Sequence, residues 1–160
     1  MASKRVEKLL KKQSFPYEIR DCERDFLSTE DSRELLNIPM VKIAKTLVYG
    51  APIGANMIIL SGDALIDSGK YEKKFKVKQV RMDEEDLMDY TGNEPGAVSP
   101  IAVPNKRVKI YLDISLKRFM DQYVYVSGGT MNSAIGITAK DLFAVTGARE
   151  WVDICKDWER

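Results

Sequence analysis

Between residues 4 and 13, Val6, Leu9 and Leu10 recur at helical spacing while Lys4, Arg5, Lys8, Lys11 and Lys12 surround them, which predicts an amphipathic helix. Phe15-Pro16 stops it, and Tyr17 to Arg20 alternates like a short strand. Ser28 followed by Asp31 predicts the capped start of a second helix, with Leu35, Leu36 and Ile38 as its apolar side and Pro39 as its end. Val41 to Tyr49 and Asn56 to Leu60 read as strands, with Ala51-Pro52-Ile53-Gly54 turning between them. A short helix is expected over Asp67 to Lys74 and a strand over Val77 to Arg81. Asp83 caps a further helix that stops at Gly92. Val108 to Asp113, Tyr123 to Ser127 and Ala134 to Thr138 are strand-like, Thr138 caps a helix closing at Gly147, and Trp151 to Cys155 is expected as a last strand.

These strands outnumber the helices and do not alternate strictly with them. The expectation is an α+β fold: a single domain over residues 1–160, with a mixed, largely antiparallel sheet or barrel-like core flanked by helices. No repeat or linker divides the chain. No apolar run reaches the eighteen or so residues that a membrane span needs, and the N-terminus lacks a signal-peptide apolar core, so a cytoplasmic protein is expected.

Composition sharpens the chemistry mainly through one absence. The chain contains no histidine, which removes the usual general base, the Ser-His-Asp and Cys-His arrangements and most metal sites. Lysines, carboxylates, hydroxyls and backbone dipoles remain. Cys22 and Cys155 form no metal or disulfide pattern, and no cofactor is implied. The net charge of +1 argues against strong nonspecific nucleic-acid binding, and neither DNA nor a membrane is expected as partner. Charge is nevertheless blocked: Lys70, Lys73, Lys74, Lys76, Lys78 and Arg81 precede Asp83, Glu84, Glu85, Asp86 and Asp89. The blocks read either as two solvated faces or, for the basic one, as phosphate contacts.

Three short stretches are candidates for chemistry. Thr91-Gly92-Asn93-Glu94-Pro95-Gly96-Ala97-Val98-Ser99-Pro100 combines two glycines and two prolines, giving either an ordinary surface loop or a rigid one whose free backbone amides hold an oxygen. Lys45 shares a strand face with Ile43 and Leu47, opposite Ala44, Thr46 and Val48; it belongs either at a strand edge with its stem packed or in a cleft. Ser127-Gly128-Gly129-Thr130 is either a hairpin turn or an anion-holding nest of amides.

Taken in order, these pieces resemble the YbaK/prolyl-tRNA synthetase-associated domain family of aminoacyl-tRNA deacylases and editing domains. The similarity is carried by Leu35 to Pro39 with the Lys45-Thr46-Leu47 strand, by Thr91-Gly92 with Gly96 to Pro100, by Val108 to Asp113, and by Tyr123 to Gly129. It extends over nearly the whole chain, through Asp141-Leu142 to Val152-Asp153-Ile154.

The resemblance implies that Lys45 is the lysine needed for deacylation and that the loop of Gly96, Ala97, Val98, Ser99 and Pro100 places the aminoacyl carbonyl by its backbone. It puts Thr46 and Ser127, with Gly128 and Gly129, at the substrate pocket. It further implies hydrolysis without an enzymic nucleophile: water, the terminal adenosine hydroxyl or the substrate's own side chain attacks. The implied partners are the acceptor end of an aminoacyl-tRNA and an aminoacyl-tRNA synthetase. The implied substrate is tRNA-Pro carrying Ala, Cys or Ser.

Two positions depart from the cysteinyl-tRNA deacylase branch: Ala134 stands where that branch has an aspartate, and Cys22 roughly where it has a tyrosine. Alanine-specific members use a pocket histidine that this chain lacks. Two other readings stay open, a non-catalytic module binding the adenosine end, and a Ser-Lys hydrolase using Ser99 or Ser127 with Lys45.

Overall fold

The computed structural model describes residues 1–160. Five helices form: α1 (Lys4–Lys12), α2 (Thr29–Leu36), α3 (Ser68–Phe75), α4 (Glu84–Thr91) and α5 (Ala139–Thr146). Each begins at a side chain that accepts an orphan amide, respectively Ser3, Ser28, Asp67, Asp83 and Thr138. Gly92 and Gly147 close α4 and α5 in the left-handed region. No helix is long and apolar enough to cross a membrane.

Nine strands build the sheets: β1 (Glu18–Asp21), β2 (Ala44–Gly50), β3 (Ala55–Ser61), β4 (Leu65–Ile66), β5 (Val108–Asp113), β6 (Tyr123–Ser127), β7 (Ser133–Thr138), β8 (Glu150–Val152) and β9 (Cys155–Lys156). The mixed sheet has the order β2-β3-β5-β8, antiparallel at β2/β3 and parallel at the other two pairs. A second, antiparallel sheet has the order β1-β7-β6, and β4 pairs with β9. The α+β class with mixed sheets and flanking helices is therefore observed.

β3 explains the layering. It is buried along its whole length, so it reads as a continuous apolar run. Met57 and Ile59 enter the larger core with α1 and α5, whereas Ile58 and Leu60 enter a second cluster with Tyr71 of α3 and Tyr111 of β5. The mixed sheet is thus covered on both faces.

Three sequence expectations need correction. Val41 does not start a strand: Met40–Lys42 forms a 3₁₀ turn behind Pro39, and the ladder with β3 begins at Ala44. Val77 to Arg81 is not a strand. Only Arg81 bridges to Tyr49, because Gly50 and Val48 hydrogen-bond Val80 and Met82 and no ladder extends further. The last strand breaks after Val152, where the Ile154 amide donates to the buried Asp113 carboxylate at 3.0 Å; β9 then joins β4 instead. The 3₁₀ segment Ile114–Phe119, which Asp113 also caps, had no counterpart in the apolar pattern.

Candidate active site

The two larger sheets meet at a single parallel bridge, Ile43 to Tyr125. Beyond it no ladder forms between β2 and β6. Ala44 to Val48 and Val126-Ser127 instead become walls of a cavity of about 500 Å³. The start of α2, the Arg81-Met82 segment, Leu87 of α4, the Pro95 to Val98 loop and Met131 to Ala134 complete it. Its walls include two cations, Lys45 and Arg81, and no carboxylate. Such a lining favours an anionic group or a developing negative charge.

The loop is built to expose backbone. Pro95 and Gly96 are the central residues of a turn closed by Ala97 N–H donating to the Glu94 carbonyl at 2.9 Å. Gly96 has φ of +84°, the value a type II turn requires at that place and one that glycine alone adopts freely. The amides of Gly96 and Val98 donate to no protein acceptor, and both residues line the cavity. Ser99, by contrast, is fully buried away from it; its amide donates to Asn93 Oδ1 at 3.3 Å, and its hydroxyl accepts from Ile101 N–H at 3.2 Å. Ala97 and Pro100 are also buried and stand behind the lining.

On β2, alternation holds as the sequence predicts. Ala44 and Val48 face the larger core, and Leu47 and Tyr49 the second cluster. Thr46 lines the cavity, and its Oγ1 is the one buried side-chain polar atom in the chain with no hydrogen-bond partner. A buried hydroxyl without a partner is destabilising by about 1–3 kcal/mol. Lys45 contributes to the wall, but its ammonium donates to the Ala64 carbonyl at 2.7 Å. Burial lowers its pKa, and the fields of Cys155 and Asp63 oppose that shift.

Ser127 lines the cavity, with its hydroxyl accepting from Gly129 N–H at 3.1 Å. Gly128 and Gly129 lie outside the lining. Both amides are engaged, Gly128 with the Ser133 carbonyl and Gly129 with Ser127, so they form a packed turn with no free nest. Their missing Cβ atoms make room for Ser133 and for Ser3 at the start of α1. No hydrogen bond joins Lys45 to Ser99 or Ser127, which leaves a Ser-Lys nucleophile without its base.

Ala134 is part of the wall, while Cys22 packs behind it in a small cluster with Leu36, Ile43 and Ala134. The two departures from the deacylase pattern therefore belong to one apolar cluster. Sequence reasoning missed Phe26, Met82, Tyr125 and Met131, and had Arg81 only as a member of the basic block; they reach the cavity from segments far apart in the chain. In the basic block Lys70 pairs with Asp153 and Lys74 with Glu150, whereas Lys73, Lys76, Lys78 and Arg81 are exposed and form no ion pair.

A model of the aminoacyl-tRNA editing domain matches residues 23–145. The chain is 34% identical over 143 residues to YwhH of Bacillus subtilis, an uncharacterized protein, spanning 89% of each. It is 33% identical over 94 residues to a proline–tRNA ligase of Sulfurihydrogenibium, a match covering 58% of this chain and 16% of the ligase. A crystal structure presented as a candidate trans-editing enzyme for prolyl-tRNA synthetase shares the fold, with a TM-score of 0.82 over 95% of each chain at 24% identity.

Proposed function

Because the chain belongs to the aminoacyl-tRNA editing domain family, we propose that it is a trans-acting hydrolase that removes amino acids from mischarged tRNA. The proposed substrate is tRNA-Pro carrying Ala, Cys or Ser, with residues 1–160 acting as one editing domain in the cytoplasm and a synthetase as a second partner. One observation carries the reading: Gly96 and Val98, whose amides donate to no protein acceptor, line a cavity together with Thr46 and Ser127.

The aminoacyl ester enters with its carbonyl oxygen toward those amides. Attack by water, held and polarised by the free hydroxyl of the terminal adenosine, puts negative charge on that oxygen. Preorganised donors stabilise it by a few kcal/mol, enough for an ester that is already activated. The C–O bond to the ribose then breaks, releasing the amino acid and a free tRNA hydroxyl. Lys45 swings from the Ala64 carbonyl to hold a charged ester or phosphate oxygen; its partial desolvation strengthens that contact. Arg81 at the wall, with Lys73, Lys76 and Lys78 beside it in sequence, supplies free cations for acceptor-stem phosphates.

The competing reading is a module that binds the adenosine end without hydrolysis. Its support is the Lys45 ammonium, which rests on Ala64. The test is deacylation of tRNA-Pro charged with Ala, Cys, Ser or Pro. Accelerated loss of a mischarged residue with Pro spared supports the hydrolase. Binding of all four with only spontaneous loss supports the module.

A further inference from the structure

The Gly96 to Pro100 loop is fixed by a polar hub whose first member, Arg5, lies outside the residues matched by the family model. Arg5 forms no ion pair with any carboxylate. Its guanidinium donates from Nε to the Ala102 carbonyl at 2.6 Å and from Nη2 to the Thr91 carbonyl at 3.1 Å and Asn93 Oδ1 at 3.4 Å. Asn93, only 5% exposed, uses the same Oδ1 to accept from Ser99 N–H at 3.3 Å and donates from Nδ2 to the Gly129 carbonyl at 3.3 Å. One side chain thus closes the loop around Gly96 and Val98 and ties it to the turn after Ser127, on the other wall. Ala102, the carbonyl that Arg5 holds, sits at φ of +63°, a conformation a non-glycine residue keeps only when its surroundings impose it. Gly92 leaves room for the guanidinium, since a Cβ there would stand 3.0 Å from Nη1.

We propose that Arg5 and Asn93 are positioning residues for deacylation, acting through the backbone of the Gly96 to Pro100 loop; the proposal rests on the hydrolase reading above. Their role is to hold the Gly96 and Val98 amides at one orientation relative to Ser127 and Thr46 across the cavity. Neither side chain lines the cavity, so neither touches the substrate. Loss of the hub leaves the ester bound but its carbonyl poorly aligned with the amides.

The experiment is single-turnover and steady-state deacylation by the full chain, on whichever mischarged tRNA-Pro the parent clears, with thermal unfolding measured alongside. Asn93→Ala is expected to lower kcat roughly 10- to 100-fold, the scale of a small misplacement, while KM stays within about threefold. Arg5→Met should behave alike, and Arg5→Lys should fall between it and the parent, because one ammonium reaches fewer acceptors than the planar fork. Val145→Ala, a core truncation in α5, serves as the stability control and should lower the unfolding midpoint without changing kcat. A kcat for Asn93→Ala matching that of Val145→Ala overturns the proposal while leaving the hydrolase reading intact. A parent inactive on every mischarged tRNA overturns both.

Discussion

Gly96→Ala separates the loop's chemistry from its contribution to stability. At φ of +84° an alanine is strained by about 1–2 kcal/mol, the ordinary cost of a left-handed conformation for an L-residue. The new Cβ would lie 3.2 Å from Met131 Cε and 3.3 Å from its sulfur, the end of a flexible side chain that can swing aside. For a chain of this size each kcal/mol lowers the unfolding midpoint by about 2–4 °C, so a fall of about 2–8 °C is expected. Activity should suffer far more. The turn relieves its strain by rotating the flanking peptides, which takes the Gly96 and Val98 amides out of line with the ester carbonyl. Losing one such donor lowers kcat by roughly 10²–10³. Gly54→Ala is the counterpart, since φ is +92° there and a Cβ would stand 2.2 Å from the rigid Arg107 carbonyl, outside the cavity lining. It should destabilise more than Gly96→Ala and leave the kcat of the folded fraction unchanged. The assays are single-turnover hydrolysis of mischarged tRNA-Pro and a thermal melt. A Gly96→Ala protein with the expected midpoint and a rate within about threefold of the parent would refute the reasoning.

Lys45→Met keeps the stem and removes the ammonium; on folded protein it should slow deacylation by roughly 30- to 1000-fold, and Lys45→Arg should also be poor. A near-parental rate for Lys45→Met would reduce Lys45 to a wall residue. Ser99→Ala and Ser127→Ala should lower the rate only modestly, and rapid quenching should trap no acyl-enzyme; a covalent aminoacyl adduct on either serine would sink the mechanism. Asp31 accepts from Arg24 and from the Leu27 amide, and these bonds hold its pKa down to about 2. A depressed carboxyl stabilises the fold above its unfolded value, about 3.9, and that contribution disappears as pH falls through the folded value. The parent's unfolding midpoint should therefore drop more steeply between pH 4 and pH 2 than that of Asp31→Asn; parallel curves would remove Asp31 from the account.

Local chemistry was legible and long-range approach was not. Ser28, Asp67, Asp83 and Thr138 announce helix starts because capping involves neighbours only. Gly96 was readable because a Pro-Gly turn carries its own signature. The end of the strand at Val152 depends instead on Asp113, 41 residues away from the Ile154 amide it captures. Val77 to Arg81 has a strand's alternation, yet Gln79 bonds the Tyr49 hydroxyl and the lysines point to water, so no ladder forms. Gly128-Gly129 read either as a hairpin turn or as a nest, and the turn is observed; its glycines make room for Ser133 and for the N-terminal Ala2, Ser3 and Val6, which no local pattern reveals. Arg5 and Asn93 stayed silent for the same reason, since a surface-looking arginine and a loop asparagine meet across 88 residues.

The central claim is that backbone donors of the Gly96 to Pro100 loop, and no side-chain nucleophile, carry the hydrolysis. Replacing residue Val98 by its α-hydroxy acid through semisynthesis turns one amide into an ester and deletes that N–H, weakening only the Ala97 carbonyl, which accepts no loop or turn hydrogen bond. Side chain, charge and φ preference all stay. The measurement is the single-turnover rate on a mischarged tRNA-Pro that the all-amide protein clears, with folding verified by circular dichroism. The account predicts a rate lower by roughly 10²–10³, the effect of removing one oxyanion donor. An unchanged rate in the folded ester protein would contradict it.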